Sequence, residues 1–426
     1  MDATVRLKLA EPIRRYGDEP RGVPVLVAWT RATLTVHALD AGSAVLGTAP
    51  DCSHVLADCF ASRRHARLTV EGERVRVKDV GSTNGTFVDG RRVDDALLSP
   101  GARLRIGRTE LVLVTRHGPP DDPHWELDGW TAAGQAGLET LRRVLIAAHL
   151  DAPVLLTGPT GTGKEVLASL IHRLGPRPEA PFVAVNCATL EPGTADAELF
   201  GHAAGAFTDG RRERPGLFVA AGEGTVFLDE IADAGSAVQA KLLRVLERRE
   251  VRRLGEDAPR PVRCRVIAAS LASFEQRLAQ GTFRDDLYHR LAGFEVALAP
   301  LAERPADVLA IARRTARRDG LRLTAAAERA LQDHPWPGNV RELLHALTRA
   351  RIQARGDVID LPEVLYALRR RRVEVAEPGT PAFEQLLREA VEQQGSLRRA
   401  LASLGVPRSS YYDLKRRARV AVTPAS

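Results

Sequence analysis

Short alternating runs of apolar and polar residues, broken by turn residues, fill positions 22–115, and no 12-residue helical period interrupts them. Val25–Trp29, Thr33–His37, Ala66–Val70, Arg74–Lys78 and Leu111–Thr115 are expected strands. Asp89-Gly90 reads as a tight turn, and Glu71-Gly72 separates two alternating runs. This pattern predicts an all-β sandwich. Further on the pattern changes. Val154–Thr157 is a short apolar run, followed by a glycine-rich stretch and the helical period VLASLIHRL, and residues 225–231 form a second apolar run that contains paired acids. Near the C-terminus, residues 382–394 place Phe383, Leu386, Leu387, Ala390 and Val391 on one helical face. Gly395 ends that helix, Ser396 can cap the next, and Gly405-Val406-Pro407 turns the chain into RSSYYDLKRRAR, a helix-turn-helix pattern.

Composition sets the limits. The chain has 426 residues, 44% hydrophobic and 27% charged, which excludes disorder as the main state and suits several domains. No run approaches 18 apolar residues, so no transmembrane helix is expected, and the start carries no apolar stretch typical of a signal peptide. Four cysteines form no CxxC pair, which argues against a disulfide scaffold or zinc site and fits a reducing cytoplasm. Proline and charge mark RHGPPDDPH and residues 369–381 as linkers. The expected division is a tail at 1–20, the sandwich at 21–116, a linker at 117–129, a nucleotide-binding core at 130–298, a helical lid at 299–368, a basic linker at 369–381, the helix-turn-helix at 382–419 and a tail at 420–426.

The charge is uneven. Of the net +7, the last 58 residues hold 12 basic against 6 acidic side chains, so the excess sits around the helix-turn-helix and points to DNA. A solvated basic tail, or a helical hairpin with no DNA role, is the alternative. Arg408, Ser409, Ser410, Tyr411 and Tyr412 begin the second helix, as major-groove reading requires. Lys415, Arg416 and Arg417 are placed for phosphates. Only five of the 61 basic residues are lysines, which makes Lys164 stand out.

Gly158 to Glu165 reads GPTGTGKE between a strand and a helix, a P-loop with Glu165 where many have Ser or Thr. Gly158, Thr160, Gly161, Thr162, Gly163 and Glu165 would wrap phosphates with backbone N–H groups, and Lys164 would neutralise their oxygens. Asp229 would hold Mg²⁺ and Glu230 would polarise the attacking water. Arg284 and Arg290, six apart, suit fingers on a neighbour's γ-phosphate, with a solvated helix face as the plain alternative. In the sandwich, the loops SRRHA and GSTNGTF bring hydroxyls, amides and arginine together, a combination that can hold phosphate.

These residues carry two resemblances. Residues 43–108 resemble the forkhead-associated (FHA) domain through Gly47, Ser62-Arg63-x-His65 and Thr83-Asn84-Gly85. The resemblance implies phosphothreonine-peptide recognition, with Ser62 and Arg63 on the phosphate, Thr83 and Asn84 on the peptide backbone, and His65 structural. Thr48 stands where the family has a phosphate-contacting arginine, and an FHA fold used only for docking is the alternative. Residues 130–350 resemble the AAA+ module of sigma-54-dependent transcriptional activators, through GPTGTGKE, FVAVNCATL, ELFGHAAGAFTDG, GTVFLDEI, QAKLLRVLERREVRRLG, GTFRDDLYHRL and HPWPGNVREL in family order. That resemblance implies a contact to sigma-54 through Gly205, Ala206, Phe207 and Thr208, a switch asparagine at Asn186, trans-acting fingers at Arg284 and Arg290, and a nucleotide sensor at Arg341. Asn339 is expected to cap the helix that follows it. Departures are Asp209 in the sigma loop, Pro159 in the P-loop, Ser270-Leu271 where the family has Thr-Asn, and Ala302. The C-terminal segment resembles the factor-for-inversion-stimulation helix-turn-helix of the same activators.

The expected protein is therefore multidomain: an N-terminal all-β FHA-like sandwich, a central α/β AAA+ P-loop ATPase with an α-helical lid, and a C-terminal α-helical helix-turn-helix. The resemblances imply a cytoplasmic, ATP- and Mg-dependent ATPase, with no membrane partner, that binds enhancer DNA and assembles as a homo-oligomer, a hexamer in the leading expectation. It would remodel sigma-54 RNA polymerase under control of a phosphothreonine-bearing protein such as a Ser/Thr kinase or its substrate. The alternative is a DNA-binding regulator or scaffold with weak ATPase activity that does not remodel sigma-54.

Overall fold

A computed structural model describes residues 8–9, 22–29, 34–39, 42–117, 123–190, 194–203, 213–256, 258–271, 274–354 and 356–375. The N-terminal module is a sandwich. One sheet runs in the order Leu34–Ala38, Val23–Trp29, Thr109–His117, Arg103–Ile106, Thr86–Val88 and Arg91–Val93, with Lys8–Leu9 at its edge, inside the expected N-terminal tail. The other runs Asp95–Leu98, Arg74–Asp79, Ala66–Glu71, Ser43–Gly47 and His54–Val55. Arg74–Asp79 shows why alternation reads as a one-sided strand: Val75 and Val77 are buried, and Arg74, Arg76 and Lys78 face water.

Val23–Trp29 does not alternate, because both of its faces are covered. Leu26 and Ala28 join Leu46, Leu68, Val77 and Leu111 between the sheets. Val25 and Val27, with Val112 and Val114, turn the other way into a core shared with Leu138, Leu141 and Leu145 of the helix Gly134–Ala148. Sandwich and central core thus share one hydrophobic cluster.

The linker expected over 117–129 is a correction. His124–Leu127 pairs with the end of Thr109–His117, Arg116 opposite Trp125, and with Trp130–Ala133. The proline-rich composition hid two apolar anchors: Trp125 and Leu127 are buried in the shared core. Pro123 precedes the strand, where no ladder donor is needed. The basic linker at 369–381 is also partly helix, since Leu361–Val375 runs into it with no Gly or Pro to stop it before Pro378.

The central core is a five-stranded parallel sheet in the order Phe182–Asn186, Thr225–Asp229, Arg265–Ser270, Val154–Thr157 and Phe294–Ala297. Because all strands are parallel, the glycine loop, the acids and Ser270 all emerge at one edge, where open α/β sheets place ligands.

The lid forms its own unit over 312–336 and from 342 onward. Thr324 caps the helix Ala325–Gln332 through the Ala327 N–H at 3.2 Å. Arg313 pairs with Glu328 at 2.6 and 2.7 Å, and Trp336, 1% exposed, donates to the Leu331 carbonyl at 2.7 Å. The expected sigma-54 contact residues 205–208 and the expected DNA-binding residues Arg408, Ser409, Ser410, Tyr411, Tyr412, Lys415 and Arg416 lie outside the described residues.

Candidate functional site

The buried strand Val154–Thr157 delivers the chain into the glycine loop, and the helix Lys164–Arg173 leaves it. Gly161 has φ +77, and a Cβ there would meet the Gly338 carbonyl at 2.5 Å, so the position admits only glycine. Lys164 is 8% exposed and donates to the carbonyls of Gly158 at 2.7 Å and Pro159 at 3.1 Å. Thr162 donates to the Pro159 carbonyl at 2.8 Å. Burial lowers the Lys164 pKa, the charges of Asp229 and Glu230 oppose that, and Arg341 adds to it. The structure therefore gathers Lys164, Asp229, Glu230 and Arg341 into one electrostatic cluster. Glu165 is exposed at the head of the helix, and Thr160 offers its carbonyl to the Asn339 amide at 2.9 Å.

Asp229 ends its strand and accepts the Glu230 N–H at 3.0 Å, with Glu230 in the left-handed region at φ +50. Asn186 lies opposite Asp229 in the neighbouring strand, and its Oδ1 accepts the Ala188 N–H at 2.9 Å. Cys187 is buried beside these acids, and burial together with the charges of Asp229, Asp233 and Glu230 pushes its thiol up to about 12. Ser270 is fully buried next to Thr157, and its hydroxyl has no partner among the described residues, whereas Leu271 is 38% exposed.

Arg284 and Arg290 sit at the two ends of the exposed helix Asp285–Leu291. Arg284 is held by Asp286 at 2.8 Å and Arg290 by Glu247 at 3.4 Å, and both guanidinium groups face solvent.

Four residues from outside the glycine loop position it, and motif reading passed over two of them, Arg304 and Asp307. Asn339, expected as a helix cap, bonds two distant segments with its side chain. Its Oδ1 accepts the Leu301 N–H at 2.7 Å, and its Nδ2 donates to Thr160, so it clamps the P-loop from behind at φ +53, a conformation Asn tolerates. The Arg341 N–H donates to the Gly161 carbonyl at 3.2 Å. Asp307, raised by burial despite Arg304, accepts the Ala133 N–H at 2.6 Å and pairs with Arg304 at 3.1 Å, and Arg304 reaches the Thr162 carbonyl at 3.4 Å. A short polar chain thus joins the end of the Trp130–Ala133 strand to the P-loop.

At the tip of the sandwich the loops meet as their composition suggests. The Ser62 hydroxyl accepts the Thr83 N–H at 3.0 Å, and Asn84 donates to the Phe60 carbonyl at 2.8 Å. His65 is fully buried, accepting the Ser62 N–H at 3.0 Å and lying 3.2 Å from the Gly85 carbonyl. Arg64 pairs with Asp51 at 3.2 Å, while Arg63 is exposed and has no carboxylate partner among the described residues. Asp79, unnoticed in the sequence, organises the second loop. Burial raises its pKa, but bonds from Ser82, Thr86 and Gly81 outweigh this and hold it down to about 2.

The nucleotide fit is favourable. The glycine loop has open space at Gly163, a buried cation at its base, two carboxylates and an orphaned hydroxyl at one edge, the donor set that a nucleoside triphosphate with Mg²⁺ uses.

Comparison with known proteins agrees. Residues 132–297 match the sigma-54 interaction domain, 44–107 the FHA domain and 303–379 the AAA+ ATPase lid domain. The chain is 40% identical over 336 residues to the nitric oxide reductase transcription regulator NorR1 of Cupriavidus necator, covering 70% of this chain and 64% of that one. It is 42% identical over 259 residues to the response regulator FleR of Pseudomonas aeruginosa, covering 59% and 55%. The chain thus spans less than two thirds of the length of these relatives. Among solved structures, NtrX from Brucella abortus in complex with ATP is similar at 29% identity and a TM-score of 0.50, with 68% of each chain covered. No helix among the described residues is long and apolar enough to cross a membrane. The chain thus carries an FHA domain ahead of a sigma-54 interaction domain and an AAA+ ATPase lid domain, and over part of its length it is similar to transcription regulators.

Proposed function

We propose that this chain is a cytoplasmic ATP-driven activator of sigma-54 RNA polymerase, bound to enhancer DNA and governed through its FHA domain. The observation that carries the reading is the convergence of Lys164, Asp229, Glu230 and Arg341 at the P-loop. In this reading the N–H groups of the glycine loop and Lys164 hold the triphosphate. Mg²⁺, held by Asp229, supplies charge neutralisation when bound. Glu230 orients and polarises the attacking water, and Asn186 restrains that carboxylate. Arg341 reports nucleotide state toward the lid. Arg284 and Arg290 complete the site of the next subunit, which makes the working form a ring, with a hexamer preferred. Their solvent-facing guanidinium groups support a role in trans. Phe207 and its neighbours would meet sigma-54, and Arg408 to Tyr412 would read DNA. Ser62, Arg63, Thr83 and Asn84 would take a phosphothreonine on a kinase or its substrate.

The test is steady-state ATP hydrolysis against protein concentration, with Lys164→Ala and Glu230→Gln beside the unaltered chain. Turnover that rises cooperatively and is lost in both variants supports the motor. Nucleotide binding without turnover favours the second reading, a DNA-bound regulator with a weak ATPase, which the exposed Leu271 beside the orphaned Ser270 hydroxyl motivates.

A further inference from the structure

Gln239 belongs to none of the residues assigned above. It lies in the helix Ser236–Arg248 and is 1% exposed. Its Nε2 donates to the Ala234 carbonyl at 2.8 Å and to the Thr282 carbonyl at 3.1 Å, and its Oε1 accepts the Arg284 N–H at 3.0 Å. Both donors and the acceptor of the side chain are thus engaged. The three partners come from two segments. Ala234 closes the Ile231–Asp233 turn that follows the acids Asp229 and Glu230. Thr282 and Arg284 form the entry to the helix Asp285–Leu291. A second tie joins the same two segments: Arg277 pairs with Asp233, and the Thr282 N–H and hydroxyl both donate to the Arg277 carbonyl, at 3.0 and 3.1 Å.

We propose that Gln239 is a positioning residue for the trans-acting arginine, locking the segment that presents Arg284 onto the turn that follows the acids of the same subunit. The inference rests on the ring reading above, in which Arg284 serves the neighbour's site. One buried amide then sets where a subunit's finger points, with the turn after its own acids as the fixed base. Glutamine suits the position because it alone among side chains of this length both donates twice and accepts here. An apolar replacement takes the side-chain partner from two carbonyls and one N–H.

The test uses the full chain in subunit mixtures. Gln239→Met keeps the length and helical packing of the side chain. It is expected to lower kcat by about tenfold to a hundredfold, because a small misplacement of a catalytic group has that effect, while KM for ATP stays the same. Mixed with Glu230→Gln, it is expected to recover turnover, since some interfaces then pair an intact acid with an intact finger. Mixed with Arg284→Ala, it is expected to recover none. A wild-type kcat in Gln239→Met, or recovery with Arg284→Ala rather than with Glu230→Gln, overturns the proposal. Should Gln239→Met lose its cooperative melt, Gln239→Glu, which keeps the acceptor for Arg284, carries the same expectation in the same mixtures. The control mixture of Arg284→Ala with Glu230→Gln separates the two levels: no recovery there overturns the ring reading, and this inference with it.

Discussion

Glu110 of the sandwich and His149 of the ATPase core face each other across the domain junction, carboxylate to Nε2 at 2.9 Å, and the His149 ring tilts against Trp29 with centroids 5.5 Å apart. The histidine also closes the helix Gly134–Ala148, its Nδ1 lying 2.9 Å from the Leu145 carbonyl. The bond from His149 holds the Glu110 carboxyl below its ordinary range, against its burial and with help from Arg103 and Arg105. A depressed carboxylate contributes at neutral pH and loses that contribution as pH falls through its folded value. Glu110→Gln is therefore expected to cost about 0.5 kcal/mol at neutral pH, as half-exposed pairs do, and nearly nothing well below pH 4. Thermal melts at both pH values check this, and an equal gap at the two would show that the pair contributes nothing.

Asp79 makes a stronger pH prediction for the sandwich. Its oxygens accept four bonds from Gly81, Ser82 and Thr86 at 2.6 to 2.8 Å. With a folded pKa of about 2 against the ordinary 3.8, its contribution is complete above pH 4 and fades as pH falls toward 2. Asp79→Ala is expected to lower stability by about 1–2 kcal/mol at pH 7, a figure kept small by solvent screening. It should also loosen the Thr83–Asn84 loop, which amide hydrogen exchange at Gly85 would report.

Asn339 separates conformational cost from bonding cost. Alanine at φ +53 removes both clamps and adds backbone strain, whereas glycine removes the clamps alone. Asn339→Ala is expected to fall below Asn339→Gly in stability by about 1 kcal/mol. Both should weaken nucleotide binding, read by titration with a fluorescent ATP analogue. Unchanged affinity in the glycine variant would mean that the P-loop holds its shape without Asn339.

Thr48 offers a gain-of-function check on the phosphothreonine reading. Its N–H donates to the Ser62 carbonyl at 3.1 Å, so the side chain starts beside the Ser62–Arg63 loop. Thr48→Arg adds a charged donor there and is expected to tighten binding to a phosphothreonine peptide library by about tenfold. Binding to the unphosphorylated library should not change. Fluorescence anisotropy distinguishes these, and equal effects on both libraries would point to nonspecific charge.

Local chemistry was readable from the sequence where neighbouring residues determine it. GPTGTGKE between a strand and a helix, TVFLDEI ending in acids, and the Ser62 and Thr83 loops all form the structures their spacing implies. Long-range pairings were not readable. Nothing within WPGNVR says that Asn339 will bond Thr160, 179 positions away. Gln239 looked like any polar residue on an amphipathic helix, because its three partners come from two other segments. The 117–129 stretch misled because proline and charge dominate its composition, while two buried residues, Trp125 and Leu127, decide its pairing.

The shared cluster of Val25, Val27, Val112 and Val114 with Leu138, Leu141 and Leu145 limits how this protein can be taken apart. A fragment cut after residue 116 would carry a bare valine face into water, and such faces drive self-association. The sandwich is therefore not an interchangeable cassette on a tether: grafting it elsewhere requires the hairpin His124–Ala133 and the helix Gly134–Ala148 to travel with it.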